Sequence, residues 1–241
     1  MKIKSGAALA FMAGVLFFAG CETRSISNSG FDHRRDAGRI GGYSGELSEL
    51  QVLGVAADKS ITEADIQAAL QSGNRARLTR TSKILLIQSG ADFPDAPMFD
   101  AMSDRFSVAP FSGRPPVDKD VEASYSKSLR LAAARGGYDK IVCYWGVLES
   151  EKKDQVTRAV SWVPIVGYAV PDQRENMRIR LKAAIVDVAS GRWSLVTPPT
   201  AASSDISSIY SRRSTDQSLV AALKETGYRN LAHTLANDFV E

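Results

Sequence analysis

Carboxylates are the residues of this sequence with the clearest potential for acid–base chemistry. Asp92 and Asp95 lie three residues apart, Glu149 and Glu151 two apart, and Asp139 precedes an apolar run. Paired carboxylates can serve as general acid and base or bind calcium in a loop. A hydrolase would need Asp92, Asp95, Asp139 and Glu149 to meet in one cleft. Their spacing favours the simpler interpretation, which is solvated loop charges.

Other catalytic groups are few. The two histidines are His33, in a polar N-terminal stretch, and His233, on the flank of a helical apolar stripe. Ser124 and Lys127 match the S-x-x-K pattern of penicillin-interacting serine enzymes, but the partner motifs of those enzymes are missing. A zinc site needs three or four Cys, His or carboxylate ligands held together. The sequence therefore predicts a protein without catalytic residues, metal or cofactor.

The two cysteines, Cys21 and Cys143, differ in their surroundings. Cys143 lies inside KIVCYWGVL, which is typical of a buried strand, and a small buried thiol behaves there as a hydrophobic residue. Cys21 follows an N-terminal apolar run. A disulfide framework would need more cysteines, so we do not expect a bridge between these two.

The first twenty residues have the pattern of an export signal. MKIK provides a positive start, SGAALAFMAGVLFF an apolar stretch of about 14 residues, and AGC small residues before the cysteine. The apolar stretch is shorter than the roughly 20 residues that span a bilayer. An uncleaved membrane anchor is the alternative.

The FAGC motif, Phe18 to Cys21, resembles the lipobox of bacterial lipoproteins, with phenylalanine where leucine is usual. The resemblance implies that Cys21 becomes the mature N-terminus and carries acyl chains, palmitate among them. Several acyl chains bury many methylene groups, at roughly 0.8 kcal/mol each, and hold a protein stably on a membrane. We therefore expect a lipid-anchored protein of the cell envelope that faces the periplasm, with the outer membrane favoured over the inner.

Residues 21–58 are expected to form a flexible tether, because Ser, Gly, Arg and Asp dominate their first part without a sustained period. The predicted globular domain covers residues 59–241. The formal net charge is only +3, and Lys2 and Lys4 of the leader contribute to it. Such a balance gives no basic stripe for nucleic-acid binding.

The domain alternates helix and strand patterns. Thr62 and Asp65 form a capping signature for a helix at about 62–72, whose Ala64, Ile66 and Leu70 could face inward. SKILLIQSG and YDKIVCYWGVLES are continuous apolar runs and predict buried strands. DAPMFDAMSDRF and DVEASYSKSLRLAAARGG predict the helices that separate them from each other and from the short strand SVAPFSG.

The second half of the domain has antiparallel character. From Met177 to Ile185, apolar residues alternate with Arg178, Arg180 and Lys182, as in a strand with one solvated face. ASGRW predicts a hairpin turn at Gly191. A last helix is predicted at about 215–240, with Leu219, Leu223, Leu231, Leu235 and Phe239 on one stripe.

This order predicts an α/β protein: a single α/β sandwich domain with a mixed sheet covered by helices, preceded by a lipoprotein signal peptide and a tether. The stretch from Lys83 to Glu241 resembles envelope lipoprotein domains of the curli-secretion lipoprotein, of the N-terminal part of the Tol–Pal translocation protein and of penicillin-binding-protein activators. SKILLIQSG, YDKIVCYWGVLES and IRLKAAIVDVASGRWSLV carry the resemblance. It implies assembly or scaffolding rather than catalysis.

The segment SWVPIVGYAVP is the most distinctive stretch outside the leader. Trp162, Pro164, Tyr168 and Pro171 are unusual in a central strand, because proline cannot donate to a ladder. An edge strand with bulges would explain them, and so would an exposed docking segment for a partner. Trp145 and Trp193 are expected in the core.

Taken together, the sequence predicts a non-catalytic interaction or assembly module. Its partners would be the membrane, through acyl chains on Cys21, and an envelope protein or a second copy of the chain. Two alternatives stay open: a hydrolase built on clustered carboxylates, and a subunit of an oligomeric secretion assembly.

Overall fold

The fold is seen in a computed structural model that describes residues 22–29, 43, 45–55, 61–73, 75–117, 119–152, 175–205 and 216–239. The strands are β1 (Glu22–Ser25), β2 (Lys83–Gln88), β3 (Ser107–Phe111), β4 (Lys140–Lys152), β5 (Glu175–Asp187), β6 (Trp193–Val196) and β7 (Ala201–Ala202). The helices are α1 (Glu49–Leu53), α2 (Glu63–Ser72), α3 (Ala96–Ser103), α4 (Lys119–Arg135) and α5 (Asp216–Asp238). Short 3₁₀ turns occupy Ile26–Asn28 and Ser203–Asp205.

The strands of the described residues form one mixed sheet. Its main order is β3-β2-β4-β5-β6, with β1 added to β4 and β7 added to β5. β2 runs parallel to β3 and β4, and every other pairing is antiparallel. The predicted α/β class with a mixed, helix-covered sheet is thereby confirmed.

Helices cover the sheet on two faces. On the first, which we call the α5 face, α3 and α5 pack over residues such as Leu86, Tyr144 and Ile179. On the second, the α4 face, α1 and α4 pack over residues such as Ile87, Cys143 and Ala184. Because β2 and the inner parts of β4 and β5 are buried on both faces, their sequences read as continuous apolar runs.

β4 and β5 are much longer than the other strands and pair over thirteen residues, from Lys140 opposite Asp187 to Lys152 opposite Glu175. We call residues 140–144 and 183–187 the inner half of this ladder and residues 145–152 and 175–182 the outer half. β2 flanks the inner half of β4, and β1 takes the same side along the outer half. A short N-terminal strand thus continues the sheet where β2 ends.

Several local predictions are confirmed. Thr62 and Asp65 form a capping box at the start of α2, and Gly73 ends that helix with positive φ. Gly191 has a φ of 73° in the turn between β5 and β6, as a left-handed turn residue requires. Leu223, Leu231 and Leu235 of α5 are buried.

The range predicted as tether contains folded pieces. Residues 22–29 pair with β4 and bury Ile26, and residues 45–55 include α1 and bury Leu47 and Val52. The local sequence pattern does not predict these two folded pieces, because each is stabilised by residues distant in the chain. The rest of the range 21–58 lies largely outside the described residues.

Two burial predictions are wrong. Ile66 and Leu70 are exposed, so α2 forms with its capping box but its apolar stripe does not pack on the described core. Trp193 is 39% exposed, because it lies on β6 at the edge of the sheet, whereas Trp145 is buried as expected.

Candidate functional site

The four carboxylates of the hydrolase hypothesis do not converge. Asp92 pairs with Arg114, while Asp139 accepts a hydrogen bond from the backbone N–H of Lys83 at 2.6 Å. Glu149 lies ten residues beyond Asp139 along β4, roughly 33 Å away in an extended strand. Each carboxylate serves a different local contact, so this structure assembles no acid–base pair from them.

Asp95, the fourth carboxylate, belongs to a buried polar network on the α5 face. Its Oδ2 accepts hydrogen bonds from Lys224 Nζ at 2.8 Å and from Tyr228 Oη at 2.5 Å. Its backbone N–H donates to Gln88 Oε1, which also accepts from Tyr144 Oη at 2.5 Å. Lys224 is 1% exposed, so the charge pair holds α5 against the start of α3 from inside the protein.

Burial also controls the protonation of this network. Desolvation raises the pKa of Tyr228 well above its ordinary value, and the nearby charge of Asp95 raises it further. The pKa of Tyr144 is raised for the same two reasons. Both phenols therefore remain neutral hydrogen-bond donors at physiological pH, which suits a structural network and gives no nucleophile.

The remaining sequence candidates for chemistry are dispersed. His233 is exposed and contacts Asn237 one turn along α5, and Ser124 and Lys127 are exposed on α4. Cys143 is a free, buried thiol, as predicted, and desolvation raises its pKa well above the usual value. In the part of the chain that the structure describes, no group of three or more His, Cys, Asp or Glu residues is placed to hold a metal ion.

An open groove lies on the α4 face, and we call it the outer groove. Its floor is formed by Trp145 and Val147 of β4 and by Arg180 and Lys182 of β5. Its volume is about 980 Å³. The groove exists because α4 packs over the inner half of the ladder, whereas on this face no helix of the described residues covers the outer half.

The walls of the groove come from both sides of the ladder. β1, Tyr43 and residues 46–50 form one wall, and Thr197, Pro198 and Thr200, between β6 and β7, form the other. The first wall is fixed to the floor, because the indole N–H of Trp145 donates to the carbonyl of Leu47 at 2.8 Å. Leu50 projects into the groove with 53% of its surface exposed.

Glu46 is the polar centre of that wall. Its Oε1 accepts hydrogen bonds from Ser25 of β1 and from Tyr43 Oη, the latter at 3.4 Å. Its Oε2 is buried and has no hydrogen-bond partner among the described residues. Burial and the charge of Glu46 both raise the pKa of Tyr43, so this hydroxyl stays protonated and can donate.

Arg180 and Lys182 line the floor, and Arg178 lies beyond Arg180 toward the outer end. Glu149 pairs with both Arg178 and Arg180, which lie opposite it and one pleat along β5. Burial alone would raise the pKa of Glu149, but hydrogen bonds from the two arginines and their charges outweigh that effect and lower it. Lys182 pairs with Glu49 and lies 5.9 Å from the ring centre of Trp145, within cation–π range.

This arrangement forms a surface that can bind a partner. It combines apolar side chains, exposed arginines and the carboxylate of Glu46, whose Oε2 is buried. Sequence reasoning found the alternating arginines of β5 but missed the wall residues Tyr43, Glu46 and Leu50. The only local signal for these was a small apolar cluster in a range rich in Gly and Ser.

The residues predicted as functional from sequence lie outside the described residues. These are the lipidation candidate Cys21 and the docking candidates Trp162, Pro164, Tyr168 and Pro171. Their flanks are described: Glu22 directly follows Cys21 and begins β1, and the docking segment lies between Lys152 and Glu175, which pair at the outer end. No helix among the described residues is long and apolar enough to cross a membrane.

Comparison with known proteins gives one match. A family model described as YafT bacterial lipoprotein matches residues 48–238, which include most of the sheet and helices α1 to α5. The chain belongs to the YafT bacterial lipoprotein family. Membership identifies it as a membrane-anchored lipoprotein of the cell envelope. No curated protein and no solved structure matches the chain.

Proposed function

We propose that this member of the YafT family is anchored through acyl chains on Cys21 and acts as a non-catalytic interaction module in the envelope, with the outer groove as its binding surface. The observation that carries the proposal is the one-sided cover of the outer ladder. There the α5 face is buried under α5, while the α4 face presents Trp145, Val147 and Arg180 in an open groove.

Two further features support a binding role. The groove combines exposed apolar side chains with arginines, and aromatic residues and arginine are enriched where proteins bind partners. Hydrogen bonds from Trp145 to Leu47 and from Ser25 to Glu46 also fix one groove wall, so the binding surface is formed in the free protein. Preorganisation of this kind lowers the entropic cost of binding.

The finer parts of the proposal extend the sequence predictions. The domain is anchored in the outer membrane and faces the periplasm. Its partner is an envelope protein or a second copy of the chain. The resemblance to curli-secretion, Tol–Pal and penicillin-binding-protein activator domains supports an assembly role of this kind. Trp162, Pro164, Tyr168 and Pro171 remain predicted docking residues, and the segment that carries them starts and ends beside the outer end of the ladder.

Crosslinking and affinity capture from native membranes test this function. Leu50→Asp places a charge in the groove, and Leu131→Asp is a matched control because Leu131 is 52% exposed on α4, outside the groove lining. We expect Leu50→Asp to lose crosslinked species that the unmodified chain and Leu131→Asp retain.

A partner set that is identical in all three proteins would overturn the groove as the binding surface. Trp162→Ala, tested in parallel, examines the docking segment separately. Loss of partners in that variant alone would move the binding surface from the groove to that segment.

A further inference from the structure

The N-terminal strand is built into the body of the protein. Residues 22–25 pair with residues 147–150 of β4, from Glu22 opposite Ser150 to Ser25 opposite Val147. Ile26 then enters the core on the α5 face, against Gly146 and Leu181. A β-carbon at position 146 would collide with both side chains. Ile26 can pack here because residue 146 is glycine.

Polar contacts hold the same stretch a few residues later. Ser27 Oγ donates to the carbonyl of Ser89 at 2.6 Å and accepts from Gln88 Nε2 at 2.9 Å. Gln88 in turn joins the buried network of Asp95 and Tyr144. Residues 22–27 are thus connected to the sheet by ladder pairing, core burial and side-chain hydrogen bonds together.

Because β1 belongs to the sheet, Cys21 directly precedes the folded domain without an intervening linker. Consecutive Cα atoms are about 3.8 Å apart, so Cys21 lies one such step from the first strand residue. A lipid on Cys21 inserts into the bilayer, and Glu22 must then lie at headgroup depth. The adjacent outer end of the β4–β5 ladder comes to the same depth, because Glu22 pairs with Ser150.

Two exposed arginines of the α4 face lie near that position. Across the ladder, Thr23 pairs with Glu149 and Glu149 with Arg178, so Arg178 lies roughly 10 Å from Thr23 at the usual strand spacing. Arg178 and Arg180 are 58% and 55% exposed and share the single carboxylate of Glu149. Glu149 and Glu151 lie on the same face and balance these two charges, so the attraction is local: an exposed guanidinium group can bind a lipid phosphate directly at this depth.

We infer that the outer end of the ladder rests directly on the anionic lipid surface, with β1 as a rigid link to the anchor and Arg178 and Arg180 in contact with lipid phosphates. The inference rests on the proposed anchoring at Cys21. The membrane occupies this end of the domain, and the outer groove opens beside the bilayer.

Depth measurements on the acylated full chain in vesicles test the position. Cys143 is buried and the acylated Cys21 has no free thiol, so a fluorescent label attaches to one introduced cysteine. Thr23→Cys marks the outer end. Ala189→Cys, exposed in the turn after β5, marks the other end, roughly 30 Å away along the ladder. The vesicles are an equimolar mixture of phosphatidylcholine and phosphatidylglycerol with nitroxide-labelled headgroups.

We expect the Thr23→Cys label to be quenched several-fold more strongly than the Ala189→Cys label. Equal quenching, or stronger quenching at position 189, would overturn the inference. Mass spectrometry of the same preparation reports acylation of Cys21. An unmodified Cys21 would contradict the proposed function, whereas acylation with equal quenching would contradict only the orientation.

A second arm tests the arginines through a label at Leu50→Cys in the groove. Quenching there should be stronger on the anionic mixture than on phosphatidylcholine alone, and Arg178→Gln with Arg180→Gln should abolish that difference. Glu149→Gln should increase it, because it leaves both arginines unpaired. Arg135→Gln with Arg192→Gln removes two exposed arginines away from the outer end and should leave the difference unchanged. No dependence on lipid charge in the parent protein would overturn the headgroup contact.

Discussion

The two halves of the β4–β5 ladder share one backbone but have different surroundings. In the inner half, side chains are buried on both faces, under α5 on one and α4 on the other. In the outer half, residues such as Ile179 remain buried beneath α5, while Arg178, Arg180 and Glu149 of the opposite face are accessible. The alternation of apolar and charged residues in β5 therefore corresponds to one buried side and one solvent-facing side only in the outer half.

This difference separates stability from recognition. A strand that is buried on both faces stabilises the fold but offers no surface to a partner, whereas a strand with one open face can do both. The ion pairs are likewise divided between the interior and the surface of the protein. Asp95 and Lys224 pair inside the protein, and Glu149 pairs with two arginines at the surface. Substitutions of the buried residues should therefore change the free energy of unfolding, whereas substitutions of the exposed outer residues should mainly change binding.

The largest loss of stability is expected from Asp95→Ala. It removes the carboxylate that pairs with the buried ammonium group of Lys224, and breaking a buried ion pair costs about 3–5 kcal/mol. Urea unfolding measures the change. The double variant Asp95→Asn with Lys224→Met removes both charges and should recover a large part of it. A single variant of parental stability would show that the pair does not hold α5 to α3.

Ile26→Ala tests how firmly β1 belongs to the sheet. Truncating this buried side chain should cost about 2–4 kcal/mol, in line with other core truncations to alanine. Hydrogen exchange should show faster opening at residues 22–25 than at the inner ladder. Ile26→Val keeps most of the volume and should behave nearly as the parent. Unchanged protection in the alanine variant would mean that pairing alone secures β1.

Asp187 closes the inner end and should give stability a dependence on pH. Burial would raise its pKa, but hydrogen bonds from Lys140 and Ser190 lower it to about 2. Its contribution is therefore complete above the unfolded value near 4 and is lost as pH falls toward 2. Asp187→Asn should remove about 1 kcal/mol at neutral pH, allowing for solvent screening, and should flatten stability between pH 4 and 2. An acid-unfolding profile parallel to that of the parent would exclude this role.

Glu149→Gln should have the smallest effect on stability, because exposed ion pairs typically contribute less than about 1 kcal/mol. Its effect should instead appear in binding to anionic vesicles, which the released arginines strengthen. Thermal unfolding and vesicle binding measured on the same variant separate the two. A strongly destabilised protein with unchanged binding would reverse the distinction between the two halves.

Local patterns in the sequence predict much of this architecture. The capping box at Thr62, the turn at Gly191 and the apolar stripe of α5 are all encoded within a few residues, so the elements could be placed in advance. The strand alternation from Met177 onward likewise predicted which face of β5 meets solvent.

The site depends on contacts that are distant in the chain and was predicted less well. β1 pairs with residues more than 120 positions later, and its sequence ETRS has no strand period of its own. Asp95 and Lys224 are 129 residues apart. The one clue was the position of Lys224, which occurs on the apolar stripe four residues from both Val220 and Tyr228.

Mass spectrometry of the mature N-terminus, on protein extracted from native membranes, tests the central claim most directly. The account predicts a chain that begins at Cys21 and carries acyl groups there, one residue before the sheet. An intact Met1, or a Cys21 with an unmodified thiol, would contradict it.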